Sequence, residues 1–157
     1  MRIGFGYDVH RLVEGRKLMI GGVEVPSPRG LQGHSDADVL LHAVCDSLLG
    51  ALGEGDIGRH FPDSDPQFQD ISSLHLLQKV AEKIAEHGFL VENVDSTVVA
   101  EQPRISPYIP LMAEKIASTL GVPIRRVNIK ATTSEGLGFV GEGKGMAAFA
   151  VALLQPK

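Results

Sequence analysis

The sequence predicts one α/β domain of the α+β type, in which a mixed β-sheet carries its helices on one face. Residues 2–12 and 127–132 alternate apolar and polar side chains, which is the period of a strand. Residues 72–87 instead repeat apolar side chains at helical spacing. The chain has 157 residues, 43% apolar and 22% charged, which suits a single domain spanning residues 1–157 with its own core.

The first strand, residues 2–12, has one apolar face, and its other face carries Gly4, Gly6, Asp8 and His10. Short apolar pieces around Gly21-Gly22 then predict a bulge or a hairpin. A long apolar helix follows and ends at Leu52, with Ser35 or Asp36 placed to cap its start. The inward stripe of this helix is predicted to include Leu41, Cys45, Leu48 and Leu49.

The second half of the chain alternates helices and strands. Residues 53–70 are rich in Gly, Asp and Pro, which predicts a long functional loop without regular structure. The elements after it are a helix at 72–87, a strand at 89–100, a helix at about 106–120 and a strand at 127–132. Residues 146–154 are short and apolar, so periodicity leaves strand and helix open there.

The composition excludes several classes of protein. Cys45 is the only cysteine, so there is no internal disulfide or cysteine-rich zinc finger, and a reducing cytoplasm is expected. A net charge of -4, 5% aromatic residues and no tryptophan argue against nucleic-acid binding. No apolar run approaches the roughly 18 residues of a membrane span, so we expect a soluble protein without a membrane partner.

Asp8, His10 and His42 are the first candidate site. Residues two apart on a strand project to the same face, so Asp8 and His10 can converge on one point. His42 lies one helical turn after Asp38, beside the buried stripe, and therefore faces inward. Two imidazoles and one carboxylate are a common ligand set for catalytic zinc, although His42 taken alone favours a core histidine.

Two further segments are candidates for holding phosphate. His34-Ser35 lies at the start of the first helix, where free backbone N–H groups suit an anion, and an ordinary helix cap is the alternative. In the segment 130–136, hydroxyls and loop N–H groups can hold phosphate oxygens, and Glu135 can bind a divalent cation. A polar turn with a solvated glutamate is the alternative there.

A glycine loop gives a weaker match to a nucleotide-binding motif. Gly138 and Gly143-Lys144 have the spacing of a P-loop, but Gly145 replaces the required Ser or Thr. The residues alone thus leave two functions open, a zinc-dependent phosphoesterase and a nucleotide-binding regulatory module using residues 138–145. The other histidines, His60, His75 and His87, are interpreted as structural or surface residues.

Four motifs in order resemble one family along essentially the whole chain. They are Gly6-Tyr7-Asp8-Val9-His10, the run from Gly33 to His42, Gly55-Asp56-Ile57-Gly58 with Phe61-Pro62-Asp63, and Lys130-Ala131-Thr132-Thr133 with Glu135 and Leu137-Gly138-Phe139. By these motifs the chain resembles the 2-C-methyl-D-erythritol 2,4-cyclodiphosphate synthases of the non-mevalonate isoprenoid pathway, and it is identified as a member of that family.

The resemblance implies an intramolecular phosphoryl transfer. The 2-phosphate of a CDP-methylerythritol phosphate attacks the β-phosphate, closes a cyclic diphosphate and releases CMP, without a protein nucleophile. By similarity, Asp8, His10 and His42 would bind Zn²⁺, and Glu135 would bind a second cation, Mg²⁺ or Mn²⁺. His34 and Thr133 would be the catalytic residues that steady phosphate oxygens.

The resemblance also implies the substrate contacts and the assembly. Contacts on the phosphate and methylerythritol side would come from Asp8, Val9, His10, His34, Ser35, Asp56, Ile57, Gly58, Phe61, Pro62, Asp63, Ser64 and Asp65. The cytidine side and its loop would contribute Ala100, Glu101, Gln102, Pro103, Arg104, Ile105, Ser106, Ala131, Thr132, Thr133, Ser134, Glu135 and Phe139. The family is a homotrimer whose active sites lie between subunits, and Tyr7 and Phe139 would line its central channel.

One departure concerns that channel. Where a common family pattern has Arg and then Glu after Phe139, this chain has Glu142 and Lys144. The phosphate-binding arginine therefore has no counterpart at Glu142, and we expect weak binding of isoprenoid diphosphates unless Lys144 substitutes for it.

Overall fold

The computed structural model describes all 157 residues. Its strands are β1 (Arg2–Glu14), β2 (Leu18–Ile20), β3 (Val23–Val25), β4 (Arg29–Leu31), β5 (Phe89–Val99), β6 (Val127–Thr132) and β7 (Gly145–Pro156). Five of them form a sheet in the order β4-β1-β7-β5-β6. Only β5 and β6 run parallel, so the sheet is mixed, as predicted.

The helices are α1 (Val39–Leu52), α2 (Ile57–His60), α3 (Ser73–Glu86), α4 (Ile109–Leu120) and α5 (Gly138–Gly141). Helix α1 packs on β1 and β7, and α3 packs on α1, α4 and β5. β2 and β3 form a separate hairpin that turns at Gly21-Gly22, which confirms one of the two expected arrangements. No helix combines the length and the apolar character needed to cross a membrane.

Two glycines of β1 let α1 approach the sheet very closely. A Cβ on Gly4 would lie 1.8 Å from the Ser47 carbonyl oxygen, and one on Gly6 would lie 1.9 Å from that of Ala43. Because backbone meets backbone here, no larger residue fits without moving the helix. These glycines therefore fix the distance between α1 and the strand that carries Asp8 and His10.

The start of α1 corrects one prediction. Its N-cap is Asp38, not Ser35 or Asp36, and Asp38 Oδ1 accepts a hydrogen bond from Leu41 N. The same carboxylate accepts bonds from the N–H groups of Gly21 and Gly22, so Asp38 also holds the β2–β3 turn. Asp38 was not among the two predicted caps, and it is the carboxylate that reaches both elements. The expected inward stripe is confirmed, since all of its members are buried: Leu41, Cys45, Leu48 and Leu49.

Three other elements differ in detail or resolve an open alternative. Residues 53–70 contain α2 and a 3₁₀ turn at Pro66–Phe68, so this segment has more regular structure than expected. Helix α3 spans Ser73–Glu86, one residue shorter at each end than predicted, and buries Leu76, Leu77, Val80 and Ile84. Residues 146–154, for which strand and helix were both open, form part of strand β7. This strand lies at the centre of the five-stranded sheet.

The apolar face of β1 is exposed, and the glycine face is the covered one. Phe5 is 63% and Ile3 72% exposed, and Phe149 and Val151 of β7 continue the same surface. Phe149 contacts Tyr7 with ring centroids 5.1 Å apart. A sheet face of large apolar side chains without a covering layer is typical of an interaction surface.

Candidate functional site

Asp8, His10 and His42 meet at one point between β1 and α1. His10 Nε2 lies 2.8 Å and His42 Nδ1 lies 3.1 Å from Asp8 Oδ2, and the two imidazole nitrogens are 3.1 Å apart. Ligands bound to zinc at 2.0–2.1 Å in a tetrahedron are about 3.3 Å from one another. The triangle is therefore close to the size that a bound Zn²⁺ requires.

The charges at this point favour a cation. Burial alone would raise the pKa of Asp8, but hydrogen bonds from His10 and His42 and their charges lower it to about 2. Burial opposes protonation of His10, yet the bond to Asp8 and its negative charge raise the pKa of His10 above its ordinary value. Asp8 is thus ionised at neutral pH. A proton on His10 Nε2 occupies the position in which a metal ion would bind.

Hydrogen bonds on the far side of each imidazole set the direction of its lone pair. His10 Nδ1 lies 2.7 Å from the Gln32 carbonyl oxygen, which can only accept, so Nδ1 carries the proton. The lone pair of neutral His10 is then on Nε2, facing Asp8 and His42. On the far side of His42, Nε2 lies 2.9 Å from Ser73 Oγ and 3.2 Å from Ser35 Oγ.

A cavity of about 330 Å³ surrounds the triad. It brings together most of the residues predicted for the phosphate and methylerythritol side, and its lining includes His34, Ser35, Asp56, Ile57, Gly58, Phe61 and Asp63. His34 and Ser35 reach it from the loop before α1, not from the helix end. The Asp38 carboxylate caps the N-terminus of α1, so a phosphate held by His34 and Ser35 would be bound from the loop, and that contact stays a prediction.

Asp46 also lines this cavity and was missed by the sequence analysis. Its Oδ1 accepts a hydrogen bond from Ile57 N at 2.8 Å, and burial raises its pKa. Asp46 follows His42 by one helical turn, and that spacing could have identified it. Ser73 was missed as well, and no local pattern links it to His42, 31 residues earlier.

The predicted cytidine residues line a second and separate cavity of about 500 Å³. Its lining is formed by Ala100, Glu101, Gln102, Pro103, Arg104, Ile105, Ser106, Ala131, Thr132 and Thr133. Glu101 has a structural task there, since its Oε1 accepts bonds from Ser134 N at 2.9 Å and from Ser134 Oγ. This cavity shares no lining residue with the one around the triad.

The loop after β6 carries Glu135 in an exposed position. Glu135 has a φ of +55°, and its amide donates to Thr133 Oγ1 at 3.2 Å. Its carboxylate belongs to no cluster of metal-binding side chains within this chain. The P-loop alternative fails here, because Gly145 starts strand β7 where that motif needs a helix.

The remaining predicted contacts lie outside both cavities. Val9 projects from the apolar face of β1 and shares a cavity with Phe139 and Lys144. Asp65 caps the 3₁₀ turn at Pro66–Phe68, and its carbonyl oxygen bonds His34 Nε2. Pro62 and Ser64 are exposed on the same loop. Contacts of these residues with substrate stay predictions.

The other histidines make no comparable cluster. His60 Nε2 bonds the Glu54 carbonyl oxygen, and His87 pairs with the Glu54 carboxylate. His75 is exposed on α3.

The family model for the YgbB family matches residues 1–155. The chain belongs to the YgbB family. A relative from Symbiobacterium thermophilum, named 2-C-methyl-D-erythritol 2,4-cyclodiphosphate synthase, is 62% identical over 154 residues, which is 98% of each chain. The family model and this relative together confirm the family that the four sequence motifs indicated.

Two solved structures share the fold. The bifunctional IspDF of Campylobacter jejuni has a TM-score of 0.96 and 41% identity, covering 99% of this chain and 42% of that longer one. The IspF of Plasmodium falciparum in complex with CDP has a TM-score of 0.87 and 35% identity, covering 99% of this chain and 96% of that one.

Proposed function

We propose that the protein converts 4-diphosphocytidyl-2-C-methyl-D-erythritol 2-phosphate to 2-C-methyl-D-erythritol 2,4-cyclodiphosphate and releases CMP. The observation that carries the proposal is the triad of Asp8, His10 and His42 at ligand spacing, in a family whose relatives bear the name of this synthase. The CDP bound to the Plasmodium falciparum relative supports a cytidine nucleotide as part of the substrate.

The reaction rearranges bonds within one substrate. An oxygen of the 2-phosphate forms a bond to the β-phosphorus, and the bond from that phosphorus to the bridging oxygen of CMP breaks. The electron pair leaves with CMP, so no protein nucleophile takes part. Positioning and charge stabilisation are then the main work of the protein.

The triad residues fit a zinc ion, and Glu135 is the proposed ligand of Mg²⁺ or Mn²⁺. Bound there, the two cations would supply Lewis-acid polarisation of the attacked phosphate and neutralise charge on the departing CMP. Asp8 contributes the permanent negative charge of the site, since its pKa is about 2. His34 and Ser35 present polar atoms to the same cavity, where they can orient phosphate oxygens.

The nucleotide is proposed to bind in the second cavity. Ala100 and Ala131 leave room for a flat base, while Thr132 and Thr133 offer hydroxyl donors to phosphate oxygens. Arg104 Nε donates to Ser106 Oγ at 3.1 Å, which holds a positive charge at the rim. In the cavity around the triad, Asp56 and Asp63 provide carboxylates that can accept hydrogen bonds from the methylerythritol hydroxyls.

We infer that the active protein is a homotrimer in which neighbouring subunits complete each site. The two cavities share no residue, whereas one substrate must occupy both. Phe5, Phe149 and Val151 form an exposed apolar sheet face that association would bury. The loop bearing Glu135 and Leu137 is also exposed, with Leu137 at 73%. A reducing cytoplasm is the proposed location, since the only cysteine, Cys45, is a buried thiol.

We also infer that isoprenoid diphosphates bind weakly beside Phe139. The Lys144 ammonium there is already paired with the Glu142 carboxylate, which would repel a diphosphate. Titration of the assembled protein with geranyl diphosphate should give only weak binding. Tight binding would contradict this inference.

The function is tested by incubating the protein with the proposed substrate, zinc and magnesium, and following phosphorus NMR and mass spectra. Equal amounts of CMP and cyclic diphosphate are expected. His42→Ala should abolish both products, whereas His75→Ala, which changes an exposed histidine on α3, should leave turnover unchanged. A linear hydrolysis product without the cyclic one would contradict the proposal.

A further inference from the structure

We propose that Asp36 and Ser73 are positioning residues that fix the tautomer and orientation of His42 for metal binding. The inference rests on the proposed metal site, and it concerns two residues that neither ligate the ion nor line the cavity around it. They lie on the opposite side of the imidazole from Asp8 and His10.

The three side chains form a continuous chain of hydrogen bonds. Ser73, fully buried at the start of α3, places its Oγ 2.9 Å from His42 Nε2. The Ser73 hydroxyl also donates to Asp36 Oδ1. Asp36 Oδ2 accepts a second bond from the Ser73 backbone N–H at 3.0 Å. The carboxylate therefore holds both the backbone and the hydroxyl of Ser73.

The position of the protons follows from what each group can donate. An ionised carboxylate only accepts, so the single hydroxyl proton of Ser73 points to Asp36. The hydroxyl then offers only lone pairs to His42, and it accepts the Nε2 proton once a metal ion on Nδ1 replaces the competing bond to Asp8. In neutral His42 this leaves the lone pair on Nδ1, the nitrogen that faces Asp8 and His10.

The neighbouring contacts leave room for this direction. Ser35 Oγ, 3.2 Å from Nε2, already accepts a bond from Ala37 N and has a lone pair left for the imidazole. Asp36 is itself anchored, because its backbone N–H donates to the Ile71 carbonyl oxygen at 3.0 Å.

Asp36 also caps the first turn of α3, a role that its local sequence does not reveal. Ser72 is the N-cap residue of α3, yet its side chain makes no capping bond. The Asp36 carboxylate, brought from the loop before α1, takes that place on the first turn of α3. The tie between the two segments keeps Ser73 in register with His42. Partners of this kind typically change metal affinity by about 10- to 100-fold when they are removed.

The test measures zinc affinity by competition with a chelating dye, on full-length metal-free protein. Ser73→Ala should weaken zinc binding by roughly 10-fold or more. The matched control is Ser47→Ala, since Ser47 is equally buried, lies on α1 and bonds only the Val44 carbonyl oxygen. That control should lose some thermal stability and keep its zinc affinity.

A second readout needs no variant. Nitrogen-15 NMR of the zinc-loaded wild type should show a His42 Nε2 proton that exchanges slowly with water, because it is buried against Ser73 Oγ. Ser73→Ala should make that exchange faster.

Unchanged zinc affinity in Ser73→Ala, or fast exchange of the His42 Nε2 proton in the zinc-loaded wild type, would overturn the inference while leaving the metal site intact. Wild-type protein that binds no zinc would overturn both. If Ser73→Ala does not fold, the exchange rate in the wild type decides.

Discussion

Replacing Gly6 by alanine tests how the sheet and the first helix position the candidate site. The new Cβ would lie 1.9 Å from the Ala43 carbonyl oxygen and 2.7 Å from Ser47 N, both backbone atoms of α1. Because Gly6 is paired with Ala150 in the central strand β7, the strand cannot move away. The helix must then shift by roughly 1 Å, and overpacking against backbone costs about 3 kcal/mol.

The same shift would separate the ligands of the triad. His42 precedes Ala43 on α1, so it moves with the helix while Asp8 and His10 stay on β1. The present spacing of 2.8–3.1 Å would then widen, and zinc affinity should fall by roughly 10-fold or more.

Urea unfolding and thermal melts provide the assay. Protein concentration is kept constant, because assembly contributes to apparent stability. A loss of 3 kcal/mol corresponds to a fall in Tm of about 6–12 °C for a domain of this size. The matched control is Gly50→Ala on α1, whose Cβ would meet only the Phe5 carbonyl oxygen at 3.8 Å. That change should stabilise the helix by about 0.8–1 kcal/mol. A Gly6→Ala protein within 0.5 kcal/mol of wild type, with unchanged zinc affinity, would refute the reasoning about helix approach.

Three further predictions concern single side chains. Asp38→Ala removes the cap of α1 and leaves the Gly21 and Gly22 amides without their acceptor, so the free energy of unfolding should fall by about 3–5 kcal/mol in urea titrations; a loss below 1 kcal/mol would contradict it. The raised pKa of His10 means that protons compete with metal, so apparent zinc affinity should fall roughly tenfold per pH unit below that pKa; an affinity independent of pH would show that His10 is not a ligand. The Cys45 thiol is fully buried, which raises its pKa. Its reaction with a thiol reagent at pH 8 should therefore be at least roughly 100-fold slower in native protein than in urea. Equal rates would contradict the burial.

The metal triad could be predicted because its information is local. Asp8 and His10 share a strand face by the two-residue period, and His42 lies on the inward side of an apolar helix. The cap of α1 could not be chosen the same way, since Ser35, Asp36 and Asp38 are all good capping residues. Only the distant Gly21-Gly22 turn distinguishes Asp38.

Contacts between distant segments explain the other gaps. The alternation in β1 indicates two different faces, but it does not say that α1 covers the glycine face and leaves Phe5 exposed. The bond between Ser73 and His42 joins two helices without any shared pattern. The bond from Ser134 to Glu101 has no local sequence pattern either, since it depends on how β5 and β6 pair. Substrate contacts and the trimer came from the family resemblance, not from periodicity or composition.

The most direct test of a site shared between neighbouring subunits combines two inactive variants in one assembly. His42→Ala removes a metal ligand, and Ala131→Glu puts a carboxylate into the separate cavity proposed for cytidine. Each variant alone should form no cyclic diphosphate. When they are co-expressed with different tags and purified as mixed assemblies, about a third of the sites should combine two intact halves and restore that share of wild-type turnover, since each mixed trimer has one such interface in three. Mixed assemblies that remain inactive would contradict the claim that neighbouring subunits complete each site.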